Sequence, residues 1–172
     1  FSLSGVDVKA AFDGTVAAGA PQGAAAKGKL SVDAADIEPW LMTTGIALPG
    51  MGTGTAVTLA ADADYGNGLL VLSGLDGAVN EQAFSGDVNA DIKDGRPHIS
   101  GALVLDELDL DPAVSMLFGP PAFSGNGKTW PVTPFAQRSS APFSADLDLT
   151  AGALSAGPFA TAYDASLTLR LD

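Results

Sequence analysis

The sequence predicts a mostly β chain. We expect a long, strongly twisted antiparallel sheet, arranged as a groove or an open sandwich, with two short helices. Alternating apolar and polar residues recur along the 172-residue chain, which is the pattern of half-buried strands. The 21 glycines and 11 prolines supply many turn formers. Of the 20 acidic residues, 17 are aspartates, and aspartate disfavours helix interiors. A helix bundle is therefore excluded.

Strands are predicted wherever the alternation is clear. Four segments carry Leu or Val on one face and mostly Asp, Thr or Ser on the other: residues 30–32, 108–110, 146–149 and 167–171. Residues 55–59 show the same pattern more weakly. Residues 103–105, which are Leu-Val-Leu, are also predicted as a strand. Turns are predicted between strands at Asp13-Gly14, Gly66-Asn67-Gly68, Ser73-Gly74, Ser85-Gly86, Asp94-Gly95 and Ala151-Gly152.

Two short helices are predicted at equivalent places. In residues 111–119, Asp111 suits the cap, Pro112 the first helical position and Gly119 the end. Residues 38–45 have the same layout with a poorer cap. Each helix is only about two turns long, so packing on the sheet must stabilise it.

An internal repeat organises the chain. Residues 11–16 resemble 83–88, residues 28–33 resemble 101–106, and residues 61–64 resemble 145–148. We interpret residues 1–172 as a single β-repeat domain and a fragment of a larger protein. Its approximate copies are 1–45, 55–119 and a partial 143–172, and a proline-rich irregular loop occupies 119–143.

The composition excludes several functions. A net charge of −12 with scattered basic residues argues against nucleic acid. Without cysteine the chain lacks zinc-thiolate and iron–sulfur sites, and no cofactor or metal site is predicted. Residues 122–129 resemble a phosphate-binding loop, but Ala122 replaces the first glycine and Pro131 follows where a helix is required. We expect the single histidine, His98, to be exposed or a cap, and no catalytic residues.

The apolar face of the predicted strands is the candidate binding site. Its candidate lipid-facing residues are Leu30, Val32, Leu103, Leu105, Leu147, Leu149, Leu167 and Leu169. These side chains either form a dry sandwich core or line a groove that holds acyl chains. Periodicity alone does not separate the two alternatives.

Three features of the sequence resemble a known family. A unit of the form Phe-x-Gly-x-Val, Gly-x-Leu-x-Val/Leu-Asp and Asp-Ile/Leu-x-Pro occurs at residues 12–39 and again at 84–112. Trp130 precedes Pro134 by four residues, and residues 145–149 and 153–157 form an aspartate–leucine, then glycine–leucine pattern. In these features the chain resembles the C-terminal AsmA-like region of bacterial envelope proteins.

The resemblance implies a function without catalysis. It implies a periplasmic segment, tethered to the inner membrane by a segment outside this chain. It also implies an elongated sheet with a U-shaped apolar groove. That groove would shield phospholipid acyl chains during phospholipid transport and outer-membrane biogenesis, with envelope or membrane proteins as further partners. The alternative is a structural or assembly module whose open sheet edges pair with another copy or with a membrane-complex partner. The sequence leaves self-association open.

Overall fold

A computed structural model describes residues 1–5, 7–20, 23–43, 52–110, 143–156 and 160–171. The described residues contain nine strands in one sheet. The strands are β1 (Ser2–Ser4), β2 (Val8–Ala20), β3 (Gly23–Ala34), β4 (Val57–Gly66), β5 (Leu69–Val79), β6 (Gln82–Lys93), β7 (Arg96–Asp109), β8 (Ser144–Ser155) and β9 (Thr161–Leu171). A short helix, α1 (Glu38–Thr43), follows β3. The prediction of a mostly β chain is confirmed.

The strands lie in the sheet in the same order as in the chain. Every neighbouring pair is antiparallel except β7 and β8, which are parallel. The prediction of a wholly antiparallel sheet is therefore wrong at this one pair. Parallel neighbours need a crossover of a dozen or more residues, and residues 110–143 between β7 and β8 provide that length.

The predicted copies of the repeat correspond to groups of strands. Residues 1–45 contain β1, β2, β3 and α1, residues 55–119 contain β4 to β7, and residues 143–172 contain β8 and β9. The two junctions between copies differ, because β3 meets β4 antiparallel whereas β7 meets β8 parallel. The three stretches therefore differ in their number of strands, which is three, four and two, and in how they are joined.

Two predicted turns are confirmed as tight hairpins. Asn67 and Gly68 connect β4 to β5 with φ of 54° and 79°. Asp94 and Gly95 connect β6 to β7 with φ of 54° and 77°. Positive φ at both central residues is the geometry of the type I′ hairpin, which Asn-Gly and Asp-Gly favour.

Four other predicted turns are wrong. Asp13-Gly14, Ser85-Gly86 and Ala151-Gly152 lie inside the continuous strands β2, β6 and β8. Ser73-Gly74 lies in β5 where the register to both neighbouring strands shifts, which is a β-bulge. In this sheet these glycines mark bends and close approaches of strands, rather than chain reversals.

Helix α1 confirms the first predicted helix. The Oδ1 of Asp36 accepts a 3.0 Å hydrogen bond from the backbone N–H of Glu38, so Asp36 caps the helix. The second predicted helix, 111–119, lies outside the described residues, as does the predicted loop 119–143 except for Phe143. Within the described ranges, no helix is long and apolar enough to cross a bilayer.

The described core is thin and made mostly of small side chains. Its buried apolar residues are Val8, Ala34, Ala61, Ala63, Leu75, Ala145, Leu149 and Ala151. Among the described residues no large side chain is fully buried, and every extensive contact between elements joins neighbouring strands. A sandwich would interdigitate large side chains from two layers. The described residues therefore build a single layer.

Candidate apolar binding face

The strand register places all eight candidate lipid-facing residues on one side of the sheet. Residues paired directly across neighbouring strands point to the same side, as do alternate residues along a strand. One unbroken line of such pairs runs Val32, Leu59, Gly77, Phe84, Leu105, Ala151 and Ala165. Alternation from this line brings the remaining candidates to the same side: Leu30, Leu103, Leu147, Leu149, Leu167 and Leu169. We call this side the apolar face.

Charge is separated between the two sides of the sheet. On the apolar face, the charged residues in the described strand pairs are Glu107 and Asp109, both near the end of β7. The opposite side, the polar face, carries most of the strand aspartates, among them Asp13, Asp33, Asp62, Asp64, Asp76, Asp87, Asp91, Asp146 and Asp148. Water therefore solvates one side of the sheet far better than the other.

The middle of the apolar face is more sheltered than the polar face. Leu103 and Leu105 in β7 are half-buried, whereas Val104 between them is 54% exposed on the polar face. In β9, Leu167 and Leu169 are half-buried and the intervening Thr168 is exposed. Toward the strand ends the apolar face is open, because Ile92 and Tyr163 on it are exposed. No described element lies across the apolar face.

Glycines bring neighbouring strands unusually close together on the apolar face. Gly14 in β2 lies directly opposite Gly28 in β3 on the apolar face. A Cβ added to either glycine would lie 2.5 Å from the Cα of the other, so the two strands lean together on that side. In β6 and β7, Gly86 lies opposite Leu103 and Gly101 lies opposite Val88 on the same face, and a Cβ added to either glycine would meet the backbone of the neighbouring strand. The sheet therefore bends toward its apolar face at these two places, which makes that face locally concave.

Sequence reasoning missed several members of this face. Leu59, Leu72, Phe84, Val88 and Ile99 share it with the eight predicted residues. Glycines interrupt the alternation in β5, β6 and β7, and the bulge in β5 shifts its phase. The available signal was the hairpin turns at Asn67-Gly68 and Asp94-Gly95, which set the register of the strands on either side.

On the polar face, lysines of β3 pair with aspartates of β4. Nζ of Lys27 lies 2.7 Å from Oδ2 of Asp64, and Nζ of Lys29 lies 3.9 Å from Oδ1 of Asp62. The hydrogen bond that Lys27 donates to Asp64, together with the negative charge of Asp64, raises the pKa of Lys27 above 10.5. A shallow depression of about 320 Å³ beside these pairs includes Asp13 and Lys29 in its lining. Most of its lining residues belong to the polar face, and Leu30 and Ala61 of the apolar face also border it.

His98 joins β7 to β8, contrary to the prediction that it is exposed or a cap. It is only 9% exposed because β8 begins beside it, with His98 in register with Ser144. Nδ1 of His98 lies 2.8 Å from Oγ of Ser144, and Nε2 lies 3.7 Å from Oδ2 of Asp146. Nε of Arg170 in β9 lies 3.8 Å from Oδ1 of Asp146. The cluster connects three strands across the parallel pair.

A second polar cluster lies at the end of the sheet where α1 begins. Glu38 is 6% exposed and accepts hydrogen bonds from the backbone N–H of Gly52 at 2.6 Å and from Oγ1 of Thr55 at 3.0 Å. The Oδ1 of Asp36 also accepts the backbone N–H of Thr55 at 3.1 Å. These bonds hold α1 against the residues that lead into β4.

Metal binding and similarity to known proteins give no further assignment. In the described part of the chain, no three His, Asp or Glu side chains are grouped as metal ligands. The chain matches no family model, no curated protein and no solved structure.

Proposed function

We propose that this chain is a non-catalytic periplasmic segment of an AsmA-like envelope protein, and that its apolar face shields phospholipid acyl chains. In this proposal a segment outside the chain tethers it to the inner membrane, and the shielded lipid is in transit during outer-membrane biogenesis. The repeated motifs at residues 12–39 and 84–112 support the family assignment. The concave apolar face supports the ligand class.

One observation carries the proposal: the eight candidate residues share a single face that no described element covers. An acyl chain lying on Leu103, Leu149 and Leu167 would exchange water for leucine side chains. Each methylene removed from water contributes about 0.8 kcal/mol. The polar head group would stay at the rim, because the face offers it almost no charged partner.

Site-specific photo-crosslinking tests the proposal. A photoreactive amino acid at position 103 projects from the apolar face, and the same amino acid at position 104 projects from the polar face. We expect position 103 to capture phospholipid in cells and position 104 to capture none. Positions 32 and 31 in β3 form a second matched pair. Circular dichroism of each variant establishes that the sheet is intact.

Lipid extracted from the purified protein gives an independent readout. We expect phospholipid to copurify with the chain and to be detected by native mass spectrometry. Equal capture at positions 103 and 104, or no capture at either with a lipid-free protein, would contradict the proposal.

A further inference from the structure

Strand β9 forms one edge of the described sheet. It pairs with β8 on one side, and no described strand pairs with its other side. The opposite edge is different, because β1 covers part of β2 through pairs at Ser2, Leu3 and Ser4. A free edge strand presents a row of backbone N–H and C=O groups that another strand can pair with.

The usual protections of an edge strand are absent from the second half of β9. Residues 165–171 contain no proline, lysine or glycine, and their register with β8 is regular from Ala145↔Leu171 to Ala151↔Ala165. The uncovered part of β2, residues 13–20, consists mostly of glycine and alanine, which form strands poorly. The edge of β9 is therefore the better of the two for strand addition.

We propose that β9 pairs antiparallel with β9 of a second copy of this chain, about a two-fold axis at Leu167. In this register Leu167 lies opposite Leu167 of the second copy, and Ala165 lies opposite Leu169. Ser166 lies opposite Thr168, and Asp164 lies opposite Arg170. An isologous contact of this kind closes as a dimer and does not propagate.

The sequence of β9 is complementary to itself in this register. All apolar pairs fall on the apolar face, so that face continues from one copy into the next, and all polar pairs fall on the polar face. Asp164 and Arg170 come opposite each other twice by symmetry, and opposite charges across a sheet are stabilising. Asp164 lies where the regular part of the contact ends, because its φ is 51° and it interrupts the pairing with β8. A register centred on Ser166 would place Arg170 opposite Ala162, and a register centred on Thr168 would place it opposite Ser166. In both cases the charge of Arg170 would have no partner in the second copy.

Disulfide trapping tests the register, because the 172-residue chain has no cysteine of its own. Leu167→Cys places two thiols directly opposite each other, at a separation that a disulfide spans. Ala165→Cys is the matched control on the same face and strand, since its two copies lie four residues apart along the pair. We expect oxidation to crosslink Leu167→Cys as a dimer and to leave Ala165→Cys monomeric on a denaturing gel.

Charge reversal tests the same contact without cysteine. Asp164→Lys or Arg170→Glu alone places like charges opposite each other twice per dimer. From the modest energies of exposed pairs we expect each to raise the dimer dissociation constant about tenfold. The double variant Asp164→Lys/Arg170→Glu restores both attractions, so its dissociation constant should return close to that of the wild type.

Sedimentation of the unmodified chain supplies the remaining readout. We expect a concentration-dependent equilibrium between monomer and dimer. A strict monomer at millimolar concentration, assemblies that grow beyond the dimer, or crosslinking of Ala165→Cys in preference to Leu167→Cys would overturn the proposal. Failure of the double charge variant to recover would overturn the proposed register.

Discussion

Gly14 lies directly opposite Gly28 on the apolar face, and the two strands approach so closely that neither position has room for a Cβ. Equivalent glycines recur at Gly86 and Gly101 in the second copy of the repeat. The repeat therefore preserves the bends of the sheet as well as its apolar residues. A concave face depends on these positions as much as on its leucines.

Alanine at position 28 should be strongly destabilising. The added methyl group of Gly28→Ala would lie 2.5 Å from the Cα of Gly14, and overpacking of this kind costs about 1–3 kcal/mol or more. Gly66→Ala is the matched control, because an added Cβ there meets nothing within 4 Å. Urea unfolding of both variants measures the difference. Equal stability of the two variants would contradict the close approach.

Removing the carboxylate of Glu38 should destabilise the junction between α1 and β4. Glu38→Ala leaves the backbone N–H of Gly52 and the hydroxyl of Thr55 without their acceptor. An unmet buried donor costs about 1–3 kcal/mol. Glu38→Gln keeps one acceptor oxygen, so its free energy of unfolding should lie between those of Glu38→Ala and the wild type. Thermal unfolding that ranks Glu38→Gln at or below Glu38→Ala would contradict this interpretation.

The stabilisation from Lys27 and Asp64 should disappear at high pH. The pKa of Lys27 is raised in the folded chain, chiefly by its hydrogen bond to Asp64. The contribution is therefore complete below the ordinary pKa of 10.5 and is lost as the pH rises through the raised value. Since both side chains are exposed, we expect a small effect that salt reduces.

Lys27→Met and Lys29→Met make a matched pair for this measurement. At neutral pH Lys27→Met should be the less stable of the two, because the Lys29–Asp62 separation is longer, at 3.9 Å. At a pH above the pKa of Lys27, the free energy of unfolding of Lys27→Met should equal that of the wild type. A difference that stays constant across that range of pH would show that the loss comes from packing of the lysine stem.

His98 and Ser144 should be energetically coupled across the parallel strand pair. A double-mutant cycle with His98→Ala and Ser144→Ala should give a coupling energy of about 0.5–1.5 kcal/mol, because the bond is partly buried. The same cycle on Thr168 and Asp148, which share an exposed 2.8 Å bond between β8 and β9, should give a smaller value. Coupling that is larger at the exposed pair would contradict a structural role for His98.

Local sequence patterns predicted much of the fold. Alternation located the strands around Leu30, Leu103 and Leu167. The dipeptides Asn67-Gly68 and Asp94-Gly95 located two turns, because both residue types adopt the positive φ that such turns require. The same alternation grouped the eight candidate residues, because a regular strand places every second side chain on one side. Whether lipid lies on that side stays a prediction.

The remaining features depend on contacts between distant residues. Gly14 was predicted as a turn, since no local pattern shows that Gly28 of the next strand lies against it. His98 was predicted to be exposed or a cap, since the residues around it do not show that another strand covers it. That strand begins at Ser144, 46 residues further along the chain. The parallel pairing of β7 with β8 likewise depends on the topology of the chain, and the sequence of neither strand alone indicates it.

The parallel pair has a consequence for how the sheet assembles. β5 and β6 meet through a short connection, as do β6 and β7, so these pairs form between residues close in sequence and at low cost in chain entropy. β7 instead pairs with β8, and residues 110–143 separate these two strands in the chain. Pairings between residues so distant in sequence form slowly. We therefore expect the β8–β9 hairpin to dock last. Until it docks, the leucine-rich strand β7 is an open edge, and the nascent chain is most exposed to aggregation at that stage.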